Sequence, residues 1–341
     1  MAADRDAAGP TAVRSRRVHT NGIELAVLEA GDAANPTVVL SHGFPETAYS
    51  WRHQLPVLAA AGYHVLAPDQ RGYGDSAVPG AVEDYRIEEL VADLVGLLDE
   101  AGKDEAVFVG HDWGSFIVWD TARLRPERVR AVASLSVPAV QWGPVPPVAA
   151  IRAAYGAAFH YVLYFEAVGV AEAELEADPY ATIRRLFFGV SAEGGVAPVA
   201  SDTPQAGFLD TLPEETPSLP WRWLEEADLR HYADQFARSG FFGPVSYYRN
   251  LDHNFEALRG IGFDRVTMPS TLIAGAGDPI VVHDGEGMFK GVGPRSRQLE
   301  QMGTLLPDYR GTVMIEGAGH WLQQEQPDRV NEALLAFLAD L

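Results

Sequence analysis

The chain has 341 residues, a length that fits about two structural units, or one large α/β unit carrying an insertion. Hydrophobic residues make up 47% and charged residues 21%, as in ordinary folded proteins, which excludes disorder and low-complexity scaffolding. The net charge of −21 repels phosphate backbones and anionic lipid, so no nucleic acid is expected as a partner, and the absence of cysteine removes disulfides, thiolate nucleophiles and sulfur-ligated zinc.

Residues 1–16 mix both charge signs without an apolar stretch, so a flexible tail is expected and a secretory signal is not. Two short apolar runs then flank Asn21-Gly22, the signal of a tight hairpin. Short apolar runs at 38–40, 63–66, 106–109 and 129–137 alternate with helical stretches, which spells βαβ units and a buried parallel sheet. The uncharged run 131–151 is broken by Pro138, Gly143, Pro144, Pro146 and Pro147, so no membrane span is expected. A stretch rich in aromatics and helical in flavour follows, with a long irregular loop expected near 191–220. Strand-like runs resume at 270–274 and 312–315, and a final amphipathic helix starts at Pro327 with Val330, Leu334, Phe337, Leu338 and Leu341 on one face. The expected organisation is therefore a core of 17–138 and 256–341 interrupted by a mostly helical cap, 139–255.

Gly110-His111-Asp112-Trp113-Gly114 sits between a strand-like run and a helical one. Two glycines around a central side chain permit the sharp turn that lifts a nucleophile above a sheet, although glycine and aspartate also crowd ordinary turns. Asp278, at the end of the run 271–278, and His320, after the last strand, complete the order nucleophile, acid, histidine. Each stands just beyond the carboxyl end of an expected parallel strand, where sites in open α/β sheets form. Asp284 is a competing acid, disfavoured because it falls past Val281 and Val282. The strand ending near Val137 offers no carboxylate. His42-Gly43-Phe44-Pro45 follows the first core strand, and there the backbone N–H groups of Phe44 and Trp113 are positioned to form an oxyanion hole. His42 is expected to brace this loop, and His111 to point into the core. No motif for a metal or a dinucleotide is present.

Together with Asp69-Gln70-Arg71-Gly72-Tyr73-Gly74, these motifs resemble those of the α/β-hydrolase-fold epoxide hydrolases, and the resemblance runs from about residue 17 to the end. It implies a mostly parallel central sheet with helices on both faces and a helical cap insertion. The segments 159–165 and 246–250 are similar to the two cap segments whose tyrosines hydrogen-bond the epoxide oxygen, and by that match the tyrosines are Tyr161 and Tyr248.

An ionised carboxylate attacks an sp³ carbon and leaves an ester on the enzyme itself, so Asp112 in place of serine turns the expectation from ester or peptide cleavage to ring opening or dehalogenation. Phenolic hydroxyls, protonated at neutral pH, suit an emerging alkoxide, whereas a halide needs only N–H donors. The expected reaction is thus hydrolysis of an epoxide by water to a vicinal diol, with no cofactor. A haloalkane dehalogenase is the alternative, although such enzymes often place asparagine where Phe44 stands. A non-catalytic ligand receptor of the same fold is a second alternative, disfavoured because such proteins usually keep serine. Phe44, Trp113 and Phe165 are expected to wall the pocket, with Trp223 as either wall or cap core. A cytoplasmic monomer or homodimer is expected.

Overall fold

The computed structural model describes residues 11–196, 200, 201, 206–278 and 295–341. Strands β1 (Arg14–Thr20) and β2 (Ile23–Ala30) form the hairpin, turning through Asn21 and Gly22 at φ 45° and 76°. Positive φ at both central residues is what a two-residue turn of matching twist demands. The strand begins inside the stretch read as tail because Arg14 pairs in register with Glu29 and Arg16 makes a 2.7 Å ion pair to the same carboxylate. That pairing is polar and leaves no apolar run to read.

The main sheet adds β3 (Thr37–Ser41), β4 (His64–Pro68), β5 (Ala106–His111), β6 (Val129–Leu135), β9 (Ser270–Gly275) and β10 (Tyr309–Ile315). Its order is β1-β2-β4-β3-β5-β6-β9-β10, antiparallel at β1/β2 and β2/β4 and parallel from there to β10. Burial on both faces explains the unbroken apolar runs. The period of two sends Val39 and Phe108 to one layer and Val38, Leu40, Val107 and Val109 to the other. The first layer packs under helices α2 (Ile87–Glu100) and α3 (Trp113–Leu124), and the second under α1 (Leu55–Ala60) and a C-terminal helix spanning Pro327–Ala339.

Between β6 and β9 the chain is largely helical: α4 (Pro147–Tyr155), α5 (Tyr161–Phe165), α6 (Val170–Leu175), α7 (Pro179–Val190), α8 (Glu226–Ser239), α9 (Phe242–Arg249) and α10 (Leu251–Ala257). Helix α7 starts where Asp178 accepts from the Ala181 N–H at 3.0 Å with Pro179 behind it, and α8 stops at Gly240, φ 68°. The stretch read as an irregular loop contains β8 (Ala200–Ser201), which pairs with β7 (Phe159–His160). Its carbonyls at Leu212, Pro213 and Pro217 accept from Arg184 and Arg185 of α7 at 2.9–3.1 Å. Guanidinium donors replace the ladder that the prolines forbid. After β9 come α11 (Arg295–Leu305), then α12 (Leu322–Glu325) and α13 (Pro327–Ala339).

Helix α9 lies on the core so closely that Gly243 and Gly72 meet backbone to backbone; a Cβ on Gly243 would stand 2.5 Å from the Gly72 Cα. The Tyr247 hydroxyl donates to the Arg71 carbonyl at 3.0 Å across the same seam. Among the described residues no helix is long and apolar enough to cross a membrane.

Candidate active site

The turn from β5 into α3 holds Asp112 at φ 51°, ψ −117°, a conformation that a non-glycine residue keeps only when its surroundings impose it. Glycine is obligatory on both sides: a Cβ on Gly110 would lie 2.3 Å from the Gly114 carbonyl oxygen, and one on Gly114 would lie 2.0 Å from that of Ser41. The Ser115 hydroxyl closes the turn on the Gly110 carbonyl at 2.8 Å.

The two carboxylate oxygens of Asp112 have different neighbours. Oδ1 accepts from the Phe44 N–H at 2.8 Å, while Oδ2 faces His320 Nε2 at 3.6 Å. On the other side of the ring, Nδ1 lies 3.1 Å from Oδ2 of Asp278, which is fully buried beyond the end of β9. Asp284 lies outside the described residues. Burial alone would raise the Asp112 carboxyl, but the hydrogen bond and charge of His320 hold it below the usual range. Burial likewise disfavours the His320 cation, yet Asp278 and Asp112 outweigh it and raise the imidazole to about 10.

Above this group stand two tyrosines from the helical segment between β6 and β9. Tyr161 opens α5 and Tyr248 sits in the last turn of α9, both buried, with ring centroids 5.5 Å apart at 80°. The Tyr248 ring is 5.0 Å from Trp113 and 5.6 Å from Phe44. Burial, then the charge of Asp112, pushes its hydroxyl well above the ordinary phenol value, so it remains a donor. Its neighbour Tyr247, about 100° further around the helix, faces the core instead. Phe165 is buried against Tyr161, Tyr248 and Phe44, at 5.5, 5.2 and 6.1 Å. Trp223 packs on Trp221 and Phe187, at 5.8 and 6.0 Å. Phe44, Asp112, Trp113, Tyr161, Phe165, Tyr248, Asp278 and His320 thus lie in one cluster, with Trp223 in the helical segment between β6 and β9. Among the described residues no group of three or more His, Asp or Glu side chains could hold a metal ion.

The family described as alpha/beta hydrolase fold matches residues 36–327. Epoxide hydrolase A of Mycobacterium tuberculosis is 47% identical over 96% of this chain and 97% of its own. The crystal structure of epoxide hydrolase A from Mycobacterium thermoresistibile superposes with a TM-score of 0.84 at 46% identity, covering 96% of this chain and 98% of that one. An epoxide hydrolase from an endophytic Streptomyces gives 0.86 at 39% identity, over 96% and 95%. The chain belongs to the epoxide hydrolases of the α/β-hydrolase fold.

Three residues of this epoxide hydrolase, Phe208, Glu46 and Glu325, escaped the sequence analysis as parts of the site, whereas His42 and His111 were named there. Phe208 comes from the proline-rich loop and meets Phe165 at 5.2 Å and Phe44 at 6.4 Å. Glu46, buried two residues past Phe44, accepts from Gln323 and Gln324 at 2.9 Å each and contacts His111 Nδ1 at 2.6 Å. The other nitrogen of His111 meets the His320 carbonyl at 2.8 Å, so this core histidine holds the histidine loop from below. His42, kept neutral by a burial that lowers it to about 4, contacts the Gly43 carbonyl at 3.0 Å and accepts from the Gln70 N–H at 3.0 Å. The third missed residue is Glu325, whose carboxylate accepts from the N–H groups of Gly319 and Trp321 at 3.0 Å each. A carboxylate that clasps backbone amides has no motif; only the spacing from His320 signals it.

Proposed function

We propose that this epoxide hydrolase works through a covalent ester on Asp112, with residues 139–255 acting as the cap that closes the pocket. Asp112 Oδ2 attacks a ring carbon, the carbon–oxygen bond breaks, and the emerging alkoxide takes a proton from the hydroxyls of Tyr161 and Tyr248. Alkylation removes the charge of Asp112, one of the two carboxylates that hold the proton on His320. The proton that His320 then releases restores the tyrosine that donated, so the step conserves protons and leaves a neutral imidazole. Oriented by Asp278, that imidazole takes a proton from water as the water oxygen attacks Cγ of Asp112. The ester carbonyl oxygen is Oδ1, already met by the Phe44 N–H, and the N–H of Trp113, first in α3, is the second donor to the tetrahedral oxyanion. Each such donor is worth about 2.7 to 4 kcal/mol. Collapse expels the diol and regenerates Asp112 carrying one oxygen from water.

The division of labour between the two oxygens of Asp112 carries this reading: one is held by a backbone donor and the other faces the base. No cofactor enters any step. The aromatic walls favour an apolar epoxide; the lack of cysteine and the negative charge support a cytoplasmic location. In single-turnover reaction with styrene oxide in heavy-oxygen water, the isotope is expected in Asp112; isotope appearing directly in the diol rules the ester out. Assay with 1-bromobutane is expected to release no bromide, and bromide release without diol formation from styrene oxide would shift the activity to dehalogenation.

A further inference from the structure

The histidine loop is fixed by more than the partners of its imidazole. Three successive amides, those of Gly319, His320 and Trp321, are each spoken for. Gly319 and Trp321 donate to the two carboxylate oxygens of Glu325, at 3.0 Å each, and His320 donates to the Val190 carbonyl at 3.1 Å. Glu325 thus brackets the catalytic histidine from both sides of the chain. Its Oε2 also accepts from the Ala192 N–H at 2.9 Å, just past the end of α7. The Trp321 indole donates to the Phe187 carbonyl of α7 at 2.8 Å. Contact is so close that a Cβ on Gly319 would stand 2.1 Å from the Ala192 nitrogen. One buried carboxylate therefore joins the last turn of a cap helix to the backbone that carries His320.

On these contacts we propose that Glu325 is a positioning residue for His320, acting in ester hydrolysis and carrying the seating of α7 to the histidine. Its distance along the chain suits the task, since α12 begins directly after Trp321 and folds Glu325 back over the loop. The amides of Ala192, Gly319 and Trp321 all donate to Glu325, so the frame demands an acceptor at both oxygens. Glutamine, close to glutamate in shape, offers one oxygen and one amide nitrogen, and sets a donor against a donor. Burial pushes the Glu325 carboxyl up to about 7, against the pull of three backbone N–H groups that favour its ionised form. Alkylation depends on Asp112 and the tyrosines, which Glu325 does not touch. Hydrolysis depends on where Nε2 points, and a misplacement of about 1 Å at a reacting group costs about 10²-fold.

The proposal rests on His320 being the base of the second half-reaction, so the test runs Glu325→Gln beside His320→Gln. Both are mixed rapidly with styrene oxide, quenched, and weighed intact by mass spectrometry, with tryptophan fluorescence following alkylation. Glu325→Gln is expected to alkylate at the wild-type rate and to hydrolyse the ester about 10- to 100-fold more slowly, so that alkylated protein accumulates. Equal slowing of both steps, or no change in either, overturns the role. If Glu325→Gln does not fold, Glu325→Asp, which keeps the charge but shortens the reach, is read by the same two rates. Failure of His320→Gln to accumulate ester would instead overturn the assignment of His320 as base.

Discussion

The floor and the roof of the catalytic centre are built from different materials. The floor, at Phe44, Asp112 and His320, is set by backbone: a forced φ at Asp112, glycines with no room for a methyl, and amides donating to carboxylates. The roof, at Tyr161, Tyr248, Phe165 and Phe208, is set by ring-to-ring packing between elements of the segment from β6 to β9. Backbone geometry has few alternatives, whereas packed rings shift by fractions of an ångström. Changes in the floor are therefore expected to act nearly all or none, and changes in the roof by degrees.

The sharpest break of this contrast is Asp112→Ala, expected to lower turnover on the order of 10⁶-fold with no alkylated species in the mass spectrum. Next, His320→Gln is expected to lower steady-state diol formation on the order of 10⁴-fold while still alkylating, which isolates the second half of the reaction. Tyr161→Phe and Tyr248→Phe are each expected to slow alkylation about 10²-fold, with the second tyrosine still donating; unchanged alkylation rates in both would remove the roof from the chemistry.

The effect of pH sharpens the comparison further. In the free protein Asp278 and Asp112 together, against its burial, raise His320 to about 10. The ester lacks the Asp112 charge, so its His320 titrates lower. Since the base must be neutral, hydrolysis rises with pH through that lower value and then levels. A rising limb centred at or above 10, measured by single-turnover decay of the ester, would show that Asp112 does not hold the proton. The smallest effect concerns the seam alone: Tyr247→Phe loses one buried hydrogen bond to Arg71, about 1 kcal/mol of stability by urea unfolding, with turnover retained.

The parts legible in the sequence are those with a period or a fixed spacing. Parallel strands buried on both faces announce themselves as apolar runs, and the elbow shows through the glycines flanking Asp112. Order along the chain then pointed to Asp278 and His320. What stayed hidden acts through backbone or polar pairing. Glu325 and Glu46 are ordinary acids until the amides and side chains they hold come near. Phe208 is one aromatic in a proline-rich loop, and the start of β1 at Arg14 depends on Glu29 across the ladder. The choice of Tyr248 over Tyr247 came from the family resemblance alone, since the helix phase that separates them is visible only once α9 is docked.

That docking gives the protein a dial far from the reacting atoms. Because α9 rests on Gly72 through Gly243 with nothing between the two backbone segments, a single added methyl would act as a wedge under the helix that carries Tyr248. The clearance between phenol and carboxylate is thus tunable from a seam away from the reacting groups, by a change that leaves every one of them in place.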